Sequence, residues 1–146
     1  MLANIRMLQS LNMMGFFYTG ADVGGFGGDT SPELLIRWME LGAFTPYFRN
    51  HSALGTRPQE LWQFDEETLN ITRDIVRLRY AFLPYTYSEF MNAVKTSTPF
   101  VMPLSFVFED ERTKDIEDQY MYGSSLMVAP VHEQNKKGRY VYLPET

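Results

Sequence analysis

"YTGADVGGFGGDTSPELL", Tyr18 to Leu35, runs from aromatic residues through one aspartate into a glycine-rich turn and then a helix start. It does not read as a phosphate loop. The Lys-Ser/Thr pair of a P-loop is missing, the glycines do not give the G-x-G-x-x-G spacing after a strand, and the carboxylate of Asp22 would repel a phosphate. Turn chemistry fits better. Gly24, Gly25, Gly27 and Gly28 permit a tight reversal from strand to helix. Beyond them, Thr30 or Ser31 can cap a helix, Pro32 suits its first turn, and Glu33 can close a capping box with Thr30. Leu34, Leu35, Trp38 and Leu41 form one apolar face, and Gly42 is a plausible stop. Just upstream, Gly15 to Gly20 is a short aromatic and β-branched run between glycines, which predicts a buried strand.

The same grammar extends in both directions. Ile5, Leu8, Leu11 and Asn12 stand near helical spacing, so residues 2–13 predict a short helix ending near Gly15. "AFTPYF", Ala43 to Phe48, predicts a second strand, and the polar "RNHSALGTRPQ" follows it. A long helix is expected from about Glu66 to Val94, with Ile71, Ile75, Leu78, Phe82 and Tyr85 in helical register. Pro84 inside it predicts a kink or break near Phe82–Leu83. Alternating helices and strands argue for βα units in a parallel sheet or barrel. After Lys95 the texture changes. "PFVMPLSFVFED" and "SSLMVAPVHEQNKKGRYVYLPE" are strand-like runs separated by turn residues, so an all-β region is expected from residue 96. Two or three βα units cannot close a barrel, and a few strands cannot complete a sandwich. The expectation is therefore a slice of a larger protein.

Bulk properties narrow the function classes. The chain has 146 residues, 45% of them hydrophobic and 15% aromatic, enough for a sizeable core. A formal charge of −5 without a Lys/Arg block argues against nucleic acid or an anionic membrane as partner. No apolar run is long enough to span a bilayer. The absence of cysteine excludes disulfides and thiolate metal sites, and leaves the compartment open. The N-terminus has neither the basic start nor the clean apolar centre of a signal peptide, and a cytoplasmic protein is the expectation. Apolar faces meant for absent neighbours predict a homo-oligomer through exposed core surfaces.

Among residues with chemistry to offer, Asp22 stands out. An aspartate just past the C-terminal end of a parallel strand sits where barrel enzymes place substrate contacts. Unpaired in a core it would be costly, but it suits sugar hydroxyls. Phe26 in the same loop offers an apolar wall. His51 follows the second strand in the equivalent place. The only other histidine, His132, lies in the β region, so no metal site is expected. No G-x-S-x-G elbow supports a serine triad. Asn70 starts an N-I-T sequon, but on the long helix, and the terminal "LPET" lacks the rest of a sorting signal; both read as chance. Asp118 and Gln119 are placed to tie a turn through side-chain hydrogen bonds.

"GFFYTGADVGGFGGDTSPELLIRWMELGAFTPYFRNHSALGT" closely resembles the late barrel segment of glycoside hydrolase family 31, the α-glucosidase and α-xylosidase group. "RYAFLPYTYSEF" and "EDQYMYGSSLMVAPV" resemble that family's final barrel helix and proximal β-domain. The resemblance covers nearly the whole chain. It implies an α/β fold, the C-terminal portion of a (β/α)8 TIM barrel over residues 1–95, followed over 96–146 by the first strands of a β-sandwich. It also implies a retaining α-glycosidase, an α-glucosidase acting on α-linked oligosaccharides or glycosides, with no cofactor. Asp22, Phe26 and His51 match family motifs for −1 subsite residues, and Arg49 is expected to pair with a carboxylate near the barrel rim. The family's nucleophile lies in a W-x-D-M-N-E-like motif and its acid/base in a G-D-N-like motif. Neither occurs in this sequence, so no aspartate here is assigned a catalytic role, and both carboxylates are expected upstream of Met1. Taken alone, the chain is expected to be inactive and to act only as a structural or self-associating module. "MPL", Met102 to Leu104, departs from the family, where Arg or Lys often precedes Pro-Leu.

Overall fold

The computed structural model describes residues 1–145; Thr146, the last residue of the "LPET" tail, lies outside them. The elements run α1 (Leu2–Met13), β1 (Asp22–Val23), α2 (Pro32–Ala43), β2 (Arg49–Asn50), α3 (Glu66–Thr96), β3 (Val101–Pro103), β4 (Tyr120–Tyr122) and β5 (Leu126–Val128), with short 3-10 turns at Leu61–Gln63, Leu104–Phe106 and Glu111–Asp115. They form two compact units, one of residues 20–84 and one of residues 1–19 with 85–146.

In the unit of residues 20–84, β1 and β2 pair in parallel, with Asp22 opposite Arg49 and Val23 opposite Asn50. α2 begins as its sequence requires. Ser31 is the N-cap, its Oγ accepting from the Leu34 amide at 3.2 Å, with Pro32 in the first turn. The capping residue is Ser31 rather than Thr30, whose hydroxyl donates instead to the Ser31 carbonyl. Leu35, Trp38, Met39 and Leu41 are buried.

Gly42 departs from expectation. It lies inside the helix, not after it. A Cβ there would stand 2.7 Å from the Phe48 ring and 2.8 Å from Val23 Cγ2. The glycine is present because α2 packs too closely on β1 and the following segment for any side chain.

Both expected strands are corrected. Gly15–Gly20 is irregular, Phe16 and Tyr18 are exposed, and the extended residues begin only at Asp22. Positive φ at Gly15 turns the chain away from the extended conformation. "AFTPYF" is a turn, and the pairing starts at Arg49. Thr45 is the reason: its hydroxyl lies 2.9 Å from the Gly42 carbonyl and 2.7 Å from that of Tyr47, drawing the backbone into a local loop. Arg79 completes that loop. Its guanidinium donates to the carbonyls of Ala43 (2.9 Å), Thr45 (2.7 Å) and Pro46 (2.9 Å). Thus α3 supplies the cation that satisfies the end of α2, where exposed carbonyls favour positive charge.

Directly before α3 stands Asp65, whose carboxylate accepts from the Thr68 amide at 2.8 Å and the Thr68 hydroxyl at 2.9 Å. These bonds, the amide first, hold the Asp65 carboxyl below its ordinary range. The helix then passes through Pro84 without the expected break. The proline forfeits one backbone hydrogen bond. Tertiary contacts secure the helix on either side: Arg79 and the Phe82–Phe44 ring pair within residues 20–84, and Tyr85 and Thr86 in the other unit. Asn70 lies on this helix.

In the unit of residues 1–19 and 85–146, three short strands form an antiparallel sheet in the order β3-β4-β5. Tyr120, Tyr122, Phe100, Val101 and Leu104 are fully buried. Burial pushes the Tyr120 hydroxyl well above its ordinary pKa. α1 presents Ile5, Leu8, Gln9 and Asn12 as its buried stripe. Asn12 is a buried polar hub. Its Nδ2 donates to the carbonyl of Leu8 (3.1 Å) and to Thr19 Oγ1 (2.9 Å), while its Oδ1 accepts from the Val101 amide (3.1 Å).

The first part of the last strand-like run becomes β5, but its distal end, "RYVYLPE", does not become a ladder strand. Gln119 holds it instead. Its Nε2 donates to the Tyr142 carbonyl (2.9 Å) and its Oε1 accepts from the Tyr142 amide (2.8 Å), so one side chain imitates a strand neighbour. Asp118 pairs with Arg139 at 2.8 Å.

The Tyr142 hydroxyl donates to Asp110, and this bond first, then Arg112, holds the Asp110 carboxyl down to about 2 from an ordinary 3.8. A lowered folded-state pKa contributes stability above the unfolded value and loses it as pH falls. The contribution of this contact is therefore complete above about pH 4 and lost towards pH 2. Thermal melts across that window are expected to fall less steeply for Asp110→Asn than for the parent chain; parallel curves would disprove the linkage.

Candidate functional site

The candidate site is built on the ends of β1 and β2, within residues 20–84. Asp22 is the first residue of β1, not a residue past its C-terminal end as expected; in the parallel register it stands opposite Arg49, and His51 follows β2 one residue beyond the other end of the short ladder. Arg49 takes the partner expected of it. Its Nε and Nη2 both donate to Asp22 Oδ1, at 3.0 and 2.5 Å. That hydrogen bond is the main cause raising the Arg49 pKa. The pair is partly solvated, with the Arg49 side chain 47% and the Asp22 side chain 21% exposed. The Arg49 guanidinium also lies 5.2 Å from the centre of the Tyr47 ring.

The glycine loop then brings Phe26 to His51. Gly24, Gly25 and Gly28 all have positive φ, which explains their chemistry directly. The Gly25 amide closes a turn on the Asp22 carbonyl at 3.0 Å. The Phe26 and His51 rings lie 5.5 Å apart, tilted at 34°. Two clips hold the loops together: the Ala53 amide donates to the Phe26 carbonyl (2.8 Å), and the Arg57 amide donates to Asp29 Oδ1 (2.6 Å). Phe26 is 53% exposed, an apolar face open to a ligand rather than spent on the core.

A cleft of about 440 Å³ adjoins His51, with Asn50, Gln59 and Trp62 among its lining residues. Nothing in the sequence marked Gln59 or Trp62, and Asn50 stood out only as the residue before His51. Gln59 and Asn50 fall in a polar stretch that reads as plain loop, although Gln59 is almost wholly buried. The readable signal was a glutamine placed directly after a proline and eight residues beyond His51, which is weak. His132, the second histidine, belongs to the other unit, beside Asp118. Among the described residues, no group of three or more His, Cys, Asp or Glu side chains could hold a metal ion.

The arrangement is one anionic acceptor fixed by an arginine, one imidazole and one open aromatic face. That set suits a neutral polyol: hydroxyls for the carboxylate and imidazole, C–H surface for the ring.

Residues 1–89 match the TIM-barrel domain of the glycosyl hydrolases family 31, and residues 97–146 match the C-terminal domain of the same family. The chain belongs to glycosyl hydrolase family 31. Neutral alpha-glucosidase C of Homo sapiens is 44% identical over 142 residues, which cover 97% of this chain and 16% of that protein. Alpha-glucosidase 2 of Bacillus thermoamyloliquefaciens is 41% identical over 143 residues, covering 97% of this chain and 18% of that protein. The crystal structure of a glucosidase II alpha subunit with Glc1Man2 bound superposes with a TM-score of 0.94 at 34% identity, over 98% of this chain and 16% of that one. The family 31 chain therefore spans less than a fifth of the length of these relatives. Its fold is the end of the family's TIM barrel followed by its C-terminal β-domain.

Proposed function

We propose that this chain forms part of a retaining α-glycosidase, an α-glucosidase that hydrolyses terminal α-linked sugars, and that it contributes walls of the −1 subsite without either catalytic carboxylate. Residues 1–95 would close the catalytic barrel and residues 96–146 open the β-domain behind it. The observation that supports this reading is that one short parallel strand pair carries Asp22, bonded to Arg49, and leads into His51, whose ring lies 5.5 Å from that of Phe26.

Each group has a defined task. Asp22 accepts hydrogen bonds from ring hydroxyls of the −1 sugar, and Arg49, bonded to Oδ1, fixes the carboxylate plane and leaves Oδ2 outside the ion pair. The His51 imidazole hydrogen-bonds a hydroxyl from the neighbouring strand end. Phe26 packs on the imidazole and limits water at that edge. In a retaining enzyme one carboxylate attacks the anomeric carbon and a second protonates the leaving oxygen. Charge then develops towards an oxocarbenium ion, and hydroxyl contacts that strengthen at this stage raise kcat rather than only lowering KM.

In the full-length enzyme, His51→Ala is expected to lower kcat/KM by about 10-fold to 100-fold, as for a lost hydrogen bond to a group that gains charge. The 146-residue chain alone is expected to leave a p-nitrophenyl α-glucoside intact. Wild-type kinetics in His51→Ala, or turnover by the purified short chain, would each defeat a part of the proposal.

A further inference from the structure

We infer that Gln59 is the positioning residue that sets the spacing between Asp22 and His51, an inference that rests on the subsite reading above. The β1–β2 ladder is only two residues long, so few backbone bonds fix the strand ends. Gln59 adds the missing restraint. Its Nε2 donates to the Val23 carbonyl at 3.0 Å and to Asn50 Oδ1 at 2.8 Å. Val23 follows Asp22 directly, and Asn50 directly precedes His51. One amide nitrogen thus joins the two strands at the residues next to the two site side chains.

The orientation of the amide is fixed by its partners. Both are acceptors, so only the nitrogen can face them. Asn50 returns the bond, its Nδ2 donating to the Gln59 carbonyl at 2.7 Å, and neither side chain can rotate without breaking the exchange. Gly24 makes room for it: a Cβ there would stand 2.8 Å from Gln59 Nε2.

Gln59 is 4% exposed and its Oε1 is buried without a hydrogen-bond partner among the described residues. The unpaired buried acceptor is a cost of keeping an amide here, set against the Val23 and Asn50 acceptors that an apolar residue would leave without this donor. What the apolar residue could not supply is the double donation across the strand ends.

The test is a mutant cycle in the full-length enzyme. Gln59→Met keeps the volume and removes both donors. It is expected to lower kcat by about 10-fold, the scale of a sub-ångström misplacement, with KM within about 2-fold. In a His51→Ala background the same change is expected to cost less than about 3-fold, because the residue it positions is gone. An equal loss in both backgrounds, or wild-type kinetics with only a lowered melting temperature, would overturn the inference. If His51→Ala itself behaves as wild type, the subsite reading falls first and this inference with it. Should Gln59→Met not fold, Asn50→Leu removes the reciprocal half of the exchange at an exposed position and must show the same dependence on His51; independence would overturn the inference equally.

Discussion

Asp22→Ala in the full-length enzyme is expected to reduce kcat/KM by about 1.5–3 kcal/mol of transition-state stabilisation, roughly 10-fold to 150-fold, while the melting temperature barely moves. The separation of the two readouts follows from the site. Asp22 and Arg49 form a partly exposed ion pair, and such pairs contribute about 0–1 kcal/mol to stability. Arg49, 47% exposed, keeps water and the Tyr47 ring as partners once the carboxylate is gone. The fold therefore loses little. The substrate would lose a charged acceptor whose orientation the arginine had fixed in advance, and preorganised charge is worth most in the transition state. Asp22→Asn separates charge from shape. It retains an acceptor oxygen but no longer attracts Arg49 as an anion, so its activity is expected to lie between wild type and Asp22→Ala. Steady-state kinetics beside thermal melts decide the matter. A drop in stability that accounts for the lost activity would make Asp22 a structural residue.

The second large effect is on folding. Arg79→Met is expected to destabilise the unit of residues 20–84 by about 3 kcal/mol or more, because buried carbonyls left without donors cost about 1–3 kcal/mol each. Three carbonyls depend on this guanidinium, those of Ala43, Thr45 and Pro46, and Arg79 itself is only 7% exposed. Domains hold only about 5–15 kcal/mol in all, so the loss is a substantial share. Methionine keeps much of the stem's apolar volume, which isolates the polar part of the loss. Arg79→Lys restores the charge but not the planar fork that reaches separate carbonyls, and it is expected to recover only part of the difference. Urea unfolding followed by the fluorescence of Trp38, buried in α2, measures this directly. An unshifted midpoint would show that the loop carries its own weight.

Local chemistry decides which features were legible in the sequence. Ser31-Pro32 announced the start of α2 because capping is a property of neighbouring residues, and Ile5, Leu8 and Asn12 of the buried stripe of α1 followed from their spacing, although Gln9 rather than Leu11 completes it. The family, the barrel end and the β-domain were readable because whole motifs stand intact in order. Gly42 was misread because a glycine that stops a helix and one that lets a helix approach a strand look alike in sequence; only Phe48 and Val23 reveal the difference. "GFFYTG" and "AFTPYF" have the composition of strands, but a strand also requires a partner: positive φ at Gly15 turns the first aside, and Thr45 and Arg79 take up carbonyls of the second. Asp22, Phe26 and His51 were singled out by motif and position, and the structure brings Phe26 and His51 together and joins Asp22 to Arg49. Gln59 stayed hidden because its side-chain partners are nine and thirty-six residues away, and nothing in its immediate neighbourhood signals them.

The division of the chain has a consequence for its synthesis. Residues 20–84 form one compact unit from a continuous stretch, whereas the other joins residues 1–19 to residues 85–146. On the ribosome, the inner stretch emerges whole and can condense at once. α1 emerges earlier but must wait. Asn12 finds the Val101 amide only after 89 further positions have been made, and Gln9 finds the Glu117 carbonyl only after 108. At about 5–20 residues per second that is a delay of seconds, during which the apolar stripe of α1 has no native cover. Closing so long a loop costs little more than closing a short one, since the entropy grows only with the logarithm of length. The hazard is thus in time rather than in free energy: of the elements in this unit, the one made first is the last to be sheltered, and a chaperone that delays its collapse would act most usefully there.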